Sequence, residues 1–226
     1  MPRKTPPRLL ASLALAALAT FLLAACGGED GEETTSGSLP AGCQEAQVPP
    51  PKRVDLKPPR ERVQAGESLV AAVETSCGTF EISLDTKGSP KTVSSFVHLA
   101  REGLYDDTTF HRIVPGFVIQ GGDPLGTGRG GPGYSVIEAP PNNTVYTKGT
   151  VAMVKTAFDP PGRSGSQFYV VTAADAGLPP AYALLGEVSA GQEVVDRISE
   201  LGDPASGDDG TPLATVVIRT IAVSKG

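Results

Sequence analysis

The chain has 226 residues and a formal charge of -6, is 39% hydrophobic, and contains 27 Gly, 21 Pro and no Trp. Its length suits one domain with appendages, and this Gly and Pro content favours short strands and turns over long helices. The acidic balance excludes a nucleic-acid or anionic-lipid surface as the main partner.

Residues 1–25 read as an export leader: basic MPRKTPPR precedes the apolar run LLASLALAALATFLLAA and then a Cys. Leu23-Ala24-Ala25-Cys26 resembles the lipobox of bacterial lipoproteins, which implies cleavage before Cys26 and acylation of its thiol. An uncleaved single span is the alternative, since about 20 apolar residues also cross a bilayer. Either reading places the remainder outside the cytoplasm, tied to the cell membrane. Residues 26–66 are rich in Gly, Glu, Ser, Thr and Pro, a composition that buries little apolar surface of its own, and read as a flexible tether. Cys43 and Cys77 remain, in a compartment where disulfides persist, so they are either bridged or left as free thiols. With no C-x-x-C and only two His, no metal site is expected.

Residues 67–226 carry the fold. SLVAAVET and TFEISL alternate as strands joined through Ser76-Cys77-Gly78, a hairpin. Pro90 opens PKTVSSFVHLAREGLY, where Val93, Phe96, Val97 and Ala100 recur at helical spacing and Gly103 stops the run. Strand-like FHRIV, FVIQGG, GTVAMV, SQFYVVT and ALLGEV follow, each bounded by Gly or Pro. QEVVDRISEL suggests a second helix, and TVVIRTIAV closes the chain as a buried strand. Many short strands with two helices predict a mainly β fold, a closed antiparallel barrel capped by both helices.

The segment Phe110–Asp123, FHRIVPGFVIQGGD, places Arg, Phe and Gln on one strand-turn-strand element. It resembles the signature of the cyclophilin-type peptidyl-prolyl cis/trans isomerases. Gly126-Thr127-Gly128, Gly149-Thr150-Val151-Ala152-Met153 and Gly165-Ser166-Gln167-Phe168-Tyr169 match further blocks of that family in order. The resemblance runs from about Leu69 to the C-terminus. It implies an eight-stranded barrel and a monomer that works without cofactor or metal. It also implies that Arg112, Phe117 and Gln120 are catalytic, with Gly126, Met153, Lys155, Gln167, Tyr169, Leu178 and Tyr182 on the substrate side. The family's pocket-side Trp is replaced, Gly177 being the nearest match, and FDPPGR (Phe158 to Arg163) is an insertion near the substrate rim.

The chemistry asks little of the side chains, because the barrier of roughly 18 to 20 kcal/mol to peptide rotation comes from resonance. A guanidinium at Arg112 that donates to the prolyl nitrogen as conjugation is lost binds the twisted state in preference to the planar one. The expected substrates are proline-containing segments of exported proteins, whose slow isomerisation limits folding. A non-catalytic proline-peptide-binding or chaperone module on the same fold is the alternative. Ser166 lacks a G-x-S-x-G context and His111, expected on the opposite face from Arg112 as a satisfied interior His, is not read as a general base.

Overall fold

The computed structural model describes residues 39–226. The expected leader, residues 1–25, the acylation site Cys26 and the first part of the tether fall outside them.

Leu69–Thr75 (β1) and Gly78–Leu84 (β2) form the expected hairpin. Leu69, Ala71 and Val73 of β1 and Phe80, Ile82 and Leu84 of β2 are buried while their neighbours are more exposed, the period-two signature of a sheet with one covered face. After the helix Pro90–Arg101 (α1) come Thr108–Thr109 (β3), Arg112–Val114 (β4), Val118–Gly121 (β5), Val136–Ile137 (β6), Thr150–Met153 (β7), Arg163–Ser164 (β8), Phe168–Val171 (β9) and Leu184–Ala190 (β10). The helix Gln192–Ser199 (α2), a 3-10 segment at Pro204–Asp209 and Val217–Lys225 (β11) complete the chain.

Nine strands make one antiparallel sheet in the order β3-β11-β1-β2-β10-β7-β9-β5-β4, with β6 and β8 as a separate pair. The expected closed barrel of eight strands is corrected to a curled sheet of nine whose ends, β3 and β4, are not paired with each other. At that seam the outer edge of β3 makes only an isolated bridge, Thr109 to Asp123, and Ile113 N–H of β4 donates to the Gly210 carbonyl, so no ladder closes the ring.

The inner face of the curl holds the main core. Phe96 of α1, Tyr105, Phe110 and Phe168 stack there at centroid distances of 5.0 to 6.1 Å. The helix α1 packs against β11 and β10, and α2 against β2, β4 and β5. The N-terminus of α1 lacks a side-chain cap from Ser89; instead the Glu138 carboxylate accepts from Lys91 and Thr92 N–H at 3.2 and 2.8 Å, satisfying free donors and facing the positive end of the helix dipole.

Residues 39–66 have no helix or strand, yet the expectation of a free arm is corrected for them. They lie as a belt against the domain. Cys43 is joined to Cys77 in a disulfide, and Gln44, Lys52 and Leu56 donate backbone N–H to the carbonyls of Ser76, Pro124 and Pro132. The Lys52 ammonium sits over the Gly103, Leu104 and Asp106 carbonyls just past α1. Leu39, Val54, Leu56 and Val63 pack on the main core. A segment too polar to build a core can still order itself by lending a few apolar side chains to one that exists.

Candidate active site

The site is a row across four strands. The ladders place Arg112 opposite Gln120, Gln120 opposite Tyr169, and Tyr169 opposite Ala152, running from β4 through β5 and β9 to β7. Directly paired residues project from the same face of a sheet. That face is the outer one: the intervening residues Ile113, Ile119, Phe168, Val170, Val151 and Met153 all enter the main core. On the outer face Val118, Tyr146, Ala152, Tyr169 and Val171 form a second, smaller apolar cluster, with Phe117, Val154, Leu178 and Tyr182 packed on it.

Above this cluster lies a cavity of about 180 Å³ lined by Arg112, Phe117, Val118, Gln120, Val154, Lys155, Tyr169, Leu178 and Tyr182. The half-buried Arg112 guanidinium stands 5.9 Å from the centroid of the Phe117 ring. Its Nε donates to the Asp208 carbonyl at 3.0 Å and its Nη1 to Gln120 Oε1 at 3.4 Å. Of the five N–H groups of an arginine, three are left without a partner among the described residues. Burial lowers the Arg112 pKa, opposed by Asp208 and Asp209, and the side chain keeps its charge at any physiological pH.

Two supports hold this cation. Gln120 is oriented by Gln167, which accepts from Gln120 Nε2 at 3.1 Å and is itself anchored through Nε2 to the Gly130 carbonyl at 2.9 Å. The turn after Pro204 supplies the second, ending at Gly210 with φ 64°. A Cβ at Gly210 would lie 2.7 Å from Val114 Cγ2 and 2.8 Å from Arg112 Cγ, so only glycine lets the turn close on β4.

Arg112, Phe117, Gln120, Lys155, Tyr169, Leu178 and Tyr182 are thus brought together as expected, and three residues are not. Met153 is 1% exposed and points into the main core, because it is one residue out of phase with Ala152. Gln167 does not line the cavity but positions Gln120. Gly126 lines a different crevice, of about 290 Å³, with His111 and Val216. Val118 and Val154 line the cavity and were missed; both follow from counting in steps of two from Gln120 and Ala152. Tyr146 was also missed: it is fully buried, its hydroxyl donates to the Tyr182 carbonyl at 2.7 Å, and it accepts from Tyr182 N–H at 3.0 Å, pinning one cavity wall.

The polar surroundings carry two oddities. Tyr169 Oη is buried without a partner among the described residues, and burial raises its pKa far above the ordinary phenol range. His111 is less fully satisfied than expected: Nε2 is 3.5 Å from Gln120 Nε2, and the buried Nδ1 makes no well-formed hydrogen bond among the described residues. Burial, helped by the charge of Arg112, lowers the His111 pKa and outweighs the opposing influences of Asp123 and the Thr109 backbone. Ser166 is spent on structure, its hydroxyl donating to the Gly122 carbonyl at 2.8 Å.

The arrangement is an apolar cavity with a fixed guanidinium at its edge. Residues 70–223 match the family model of the cyclophilin type peptidyl-prolyl cis-trans isomerases. Peptidyl-prolyl cis-trans isomerase B of Streptomyces anulatus is 38% identical over 174 residues, covering 70% of this chain and 97% of that protein. The probable isomerase B of Mycobacterium tuberculosis is 33% identical over 211 residues, covering 82% of this chain and 65% of its own length. A crystal structure of a Cryptosporidium parvum cyclophilin type isomerase, obtained in the presence of the dipeptide Ala-Pro, superposes with a TM-score of 0.62 at 28% identity. It is covered over 99% of its length, against 70% of this chain. The chain belongs to the cyclophilin-type peptidyl-prolyl cis-trans isomerases.

Proposed function

We propose that the enzyme isomerises Xaa-Pro bonds in exported polypeptides, with Arg112 stabilising the twisted amide. The observation that carries this reading is a guanidinium with unused N–H groups fixed at the edge of an apolar cavity, 5.9 Å from Phe117. The cavity, about 180 Å³, suits a proline ring and little more. With the ring seated against Phe117, Val118 and Tyr169, rotation about the preceding bond pyramidalises the nitrogen and frees its lone pair. An Arg112 N–H donates to that lone pair, an interaction absent from the planar ground state, so it lowers the barrier and adds nothing to substrate binding. The Ala-Pro dipeptide present with the Cryptosporidium parvum relative supports a proline-containing ligand.

The test is a protease-coupled proline-peptide assay. Arg112→Ala is expected to lower kcat/KM at least about tenfold, equivalent to about 1.4 kcal/mol of transition-state stabilisation, with peptide binding retained. Unchanged turnover would remove Arg112 from the mechanism, and binding without turnover in the parent protein would favour the non-catalytic module. The reading further places the enzyme outside the cytoplasm on a lipid anchor at Cys26, by virtue of the lipobox-like Leu23-Ala24-Ala25-Cys26. Cys26→Ala should abolish incorporation of labelled fatty acid while the isomerase rate of the released protein persists.

A further inference from the structure

The loop from Thr156 to Gly162 is tied down at both ends, and each tie is made at or next to a residue of the cavity wall. At the first, the Asp159 carboxylate accepts from Thr156 N–H at 2.9 Å and Thr156 Oγ1 at 2.7 Å, and pairs with Arg163 at 3.2 Å. Lys155, which lines the cavity and lies 5.5 Å from the Tyr182 ring centroid, donates to the carbonyls of Thr156 and Asp159 at 2.9 and 3.2 Å. At the second end Gly162, at φ 76°, donates to the Ala181 carbonyl at 2.8 Å, beside cavity-lining Tyr182. A Cβ there would collide with the backbone of Glu138 and Ala139. Pro160 and Pro161 stiffen the span between. Within this braced loop Phe158 is 100% exposed, a large apolar side chain that contributes nothing to the core.

We propose that Phe158 is a specificity-determining residue, which receives an apolar or aromatic side chain of the substrate close to its proline. The inference rests on the isomerase reading and deepens it. The occupant is argued from continuity: a peptide whose proline fills the cavity must leave it past the wall, and Lys155 of that wall, with Ala181 next to Tyr182, holds the loop. Bracing matters because a preformed contact loses little conformational entropy on binding. A lipid surface is the poorer occupant, since the basic residues nearest Phe158, Lys155 and Arg163, are already engaged by the Thr156 and Asp159 carbonyls and the Asp159 carboxylate, on a chain of charge -6.

The experiment compares kcat/KM for proline peptides carrying Phe, Leu, Ala or Glu at each of the two residues before and after the proline. The parent enzyme and its Phe158→Ser and Phe158→Leu variants are assayed in parallel. At one position the parent enzyme should favour Phe over Ala by about fivefold, less than the tenfold or more of an enclosed methylene site because the contact stays partly solvated. Phe158→Ser should bring that ratio to about one, and Phe158→Leu should restore most of it. The same ratio in parent and Ser variant at every position would overturn the proposal, as would an equal loss for all peptides. So would an unchanged ratio accompanied by loss of vesicle binding or self-association, which would assign Phe158 to a different occupant. If the parent enzyme turned over none of the peptides, the isomerase reading itself would fail, a result separable from a flat Phe-to-Ala ratio at normal rates.

Discussion

The belt of residues 39–66 and the wall built by β4, β5, β9 and β7 are ordered by opposite means. In the wall, consecutive ladder pairs from Arg112 to Ala152 fix every side chain by register. Along the belt, order comes from separated points: the disulfide at Cys43, backbone bonds at Gln44, Lys52, Leu56 and Val63, and a few apolar contacts. Point fastening is enough to cover a core, but a site that must hold a cation against a ring needs neighbours bonded residue by residue. The two regions should therefore fail differently.

Cutting one fastener should loosen the belt alone. The Cys43–Cys77 bridge closes a span of 34 residues, which in the chain-entropy picture is worth at most about 4 kcal/mol. Cys43→Ser should lower stability in denaturant titration by up to that amount and expose residues 44–66 to limited proteolysis, while peptide turnover persists. Concerted loss of turnover with belt cleavage would show that the two regions are one unit.

Damage to the wall should cost activity and stability together. Gly210→Ala adds a Cβ against Arg112 and Val114 at φ 64°, and is expected to destabilise by about 1 to 3 kcal/mol. It should also displace the guanidinium and reduce kcat/KM with little change in KM. A smaller effect of opposite sign is expected at Tyr169, whose buried hydroxyl has no partner among the described residues. Tyr169→Phe removes the orphaned group and should raise stability by about 1 kcal/mol, read as an increase in denaturation midpoint.

The smallest effect is a pH dependence. Because the folded His111 pKa lies below its ordinary value, the unfolded chain binds the proton more readily. Stability is then full above about pH 6.5, the unfolded value, and declines as pH falls towards the lowered folded pKa. His111→Gln should flatten thermal-unfolding midpoints across that window. Asp123 is shifted mainly by other groups: burial works to raise its pKa, but N–H groups of Leu125, Gly130 and Thr127, with a last contribution from the charge of His111, prevail and lower it. Its contribution is present above about pH 4 and lost as pH falls through the folded value, so decline below pH 4 should survive the His111 substitution.

Much of the fold was legible in the chain because its signals are local. The 3.6-residue recurrence of Val93, Phe96 and Val97 and the stop at Gly103 mark α1, which spans Pro90–Arg101. Alternation in LVAAVET and GTFEISL marks the first hairpin. The contiguous run from Phe110 to Asp123 carries Arg112, Phe117 and Gln120, which meet in one cavity because they share a single strand-turn-strand unit.

What the amino-acid order determined by itself was therefore the element types, the family and the cation with its aromatic neighbour, all set by residues close together along the chain. Tertiary structure alone decided the rest. Val154 lines the cavity and Met153 does not, because the facing of β7 is set by its pairing with β9 and not by residue type. The belt is ordered because a core lies within its reach, and the loop carrying Phe158 is held by Lys155 and Ala181, which lie far apart in the chain. Register and contact between distant segments are properties of the folded chain, and no local periodicity encodes them.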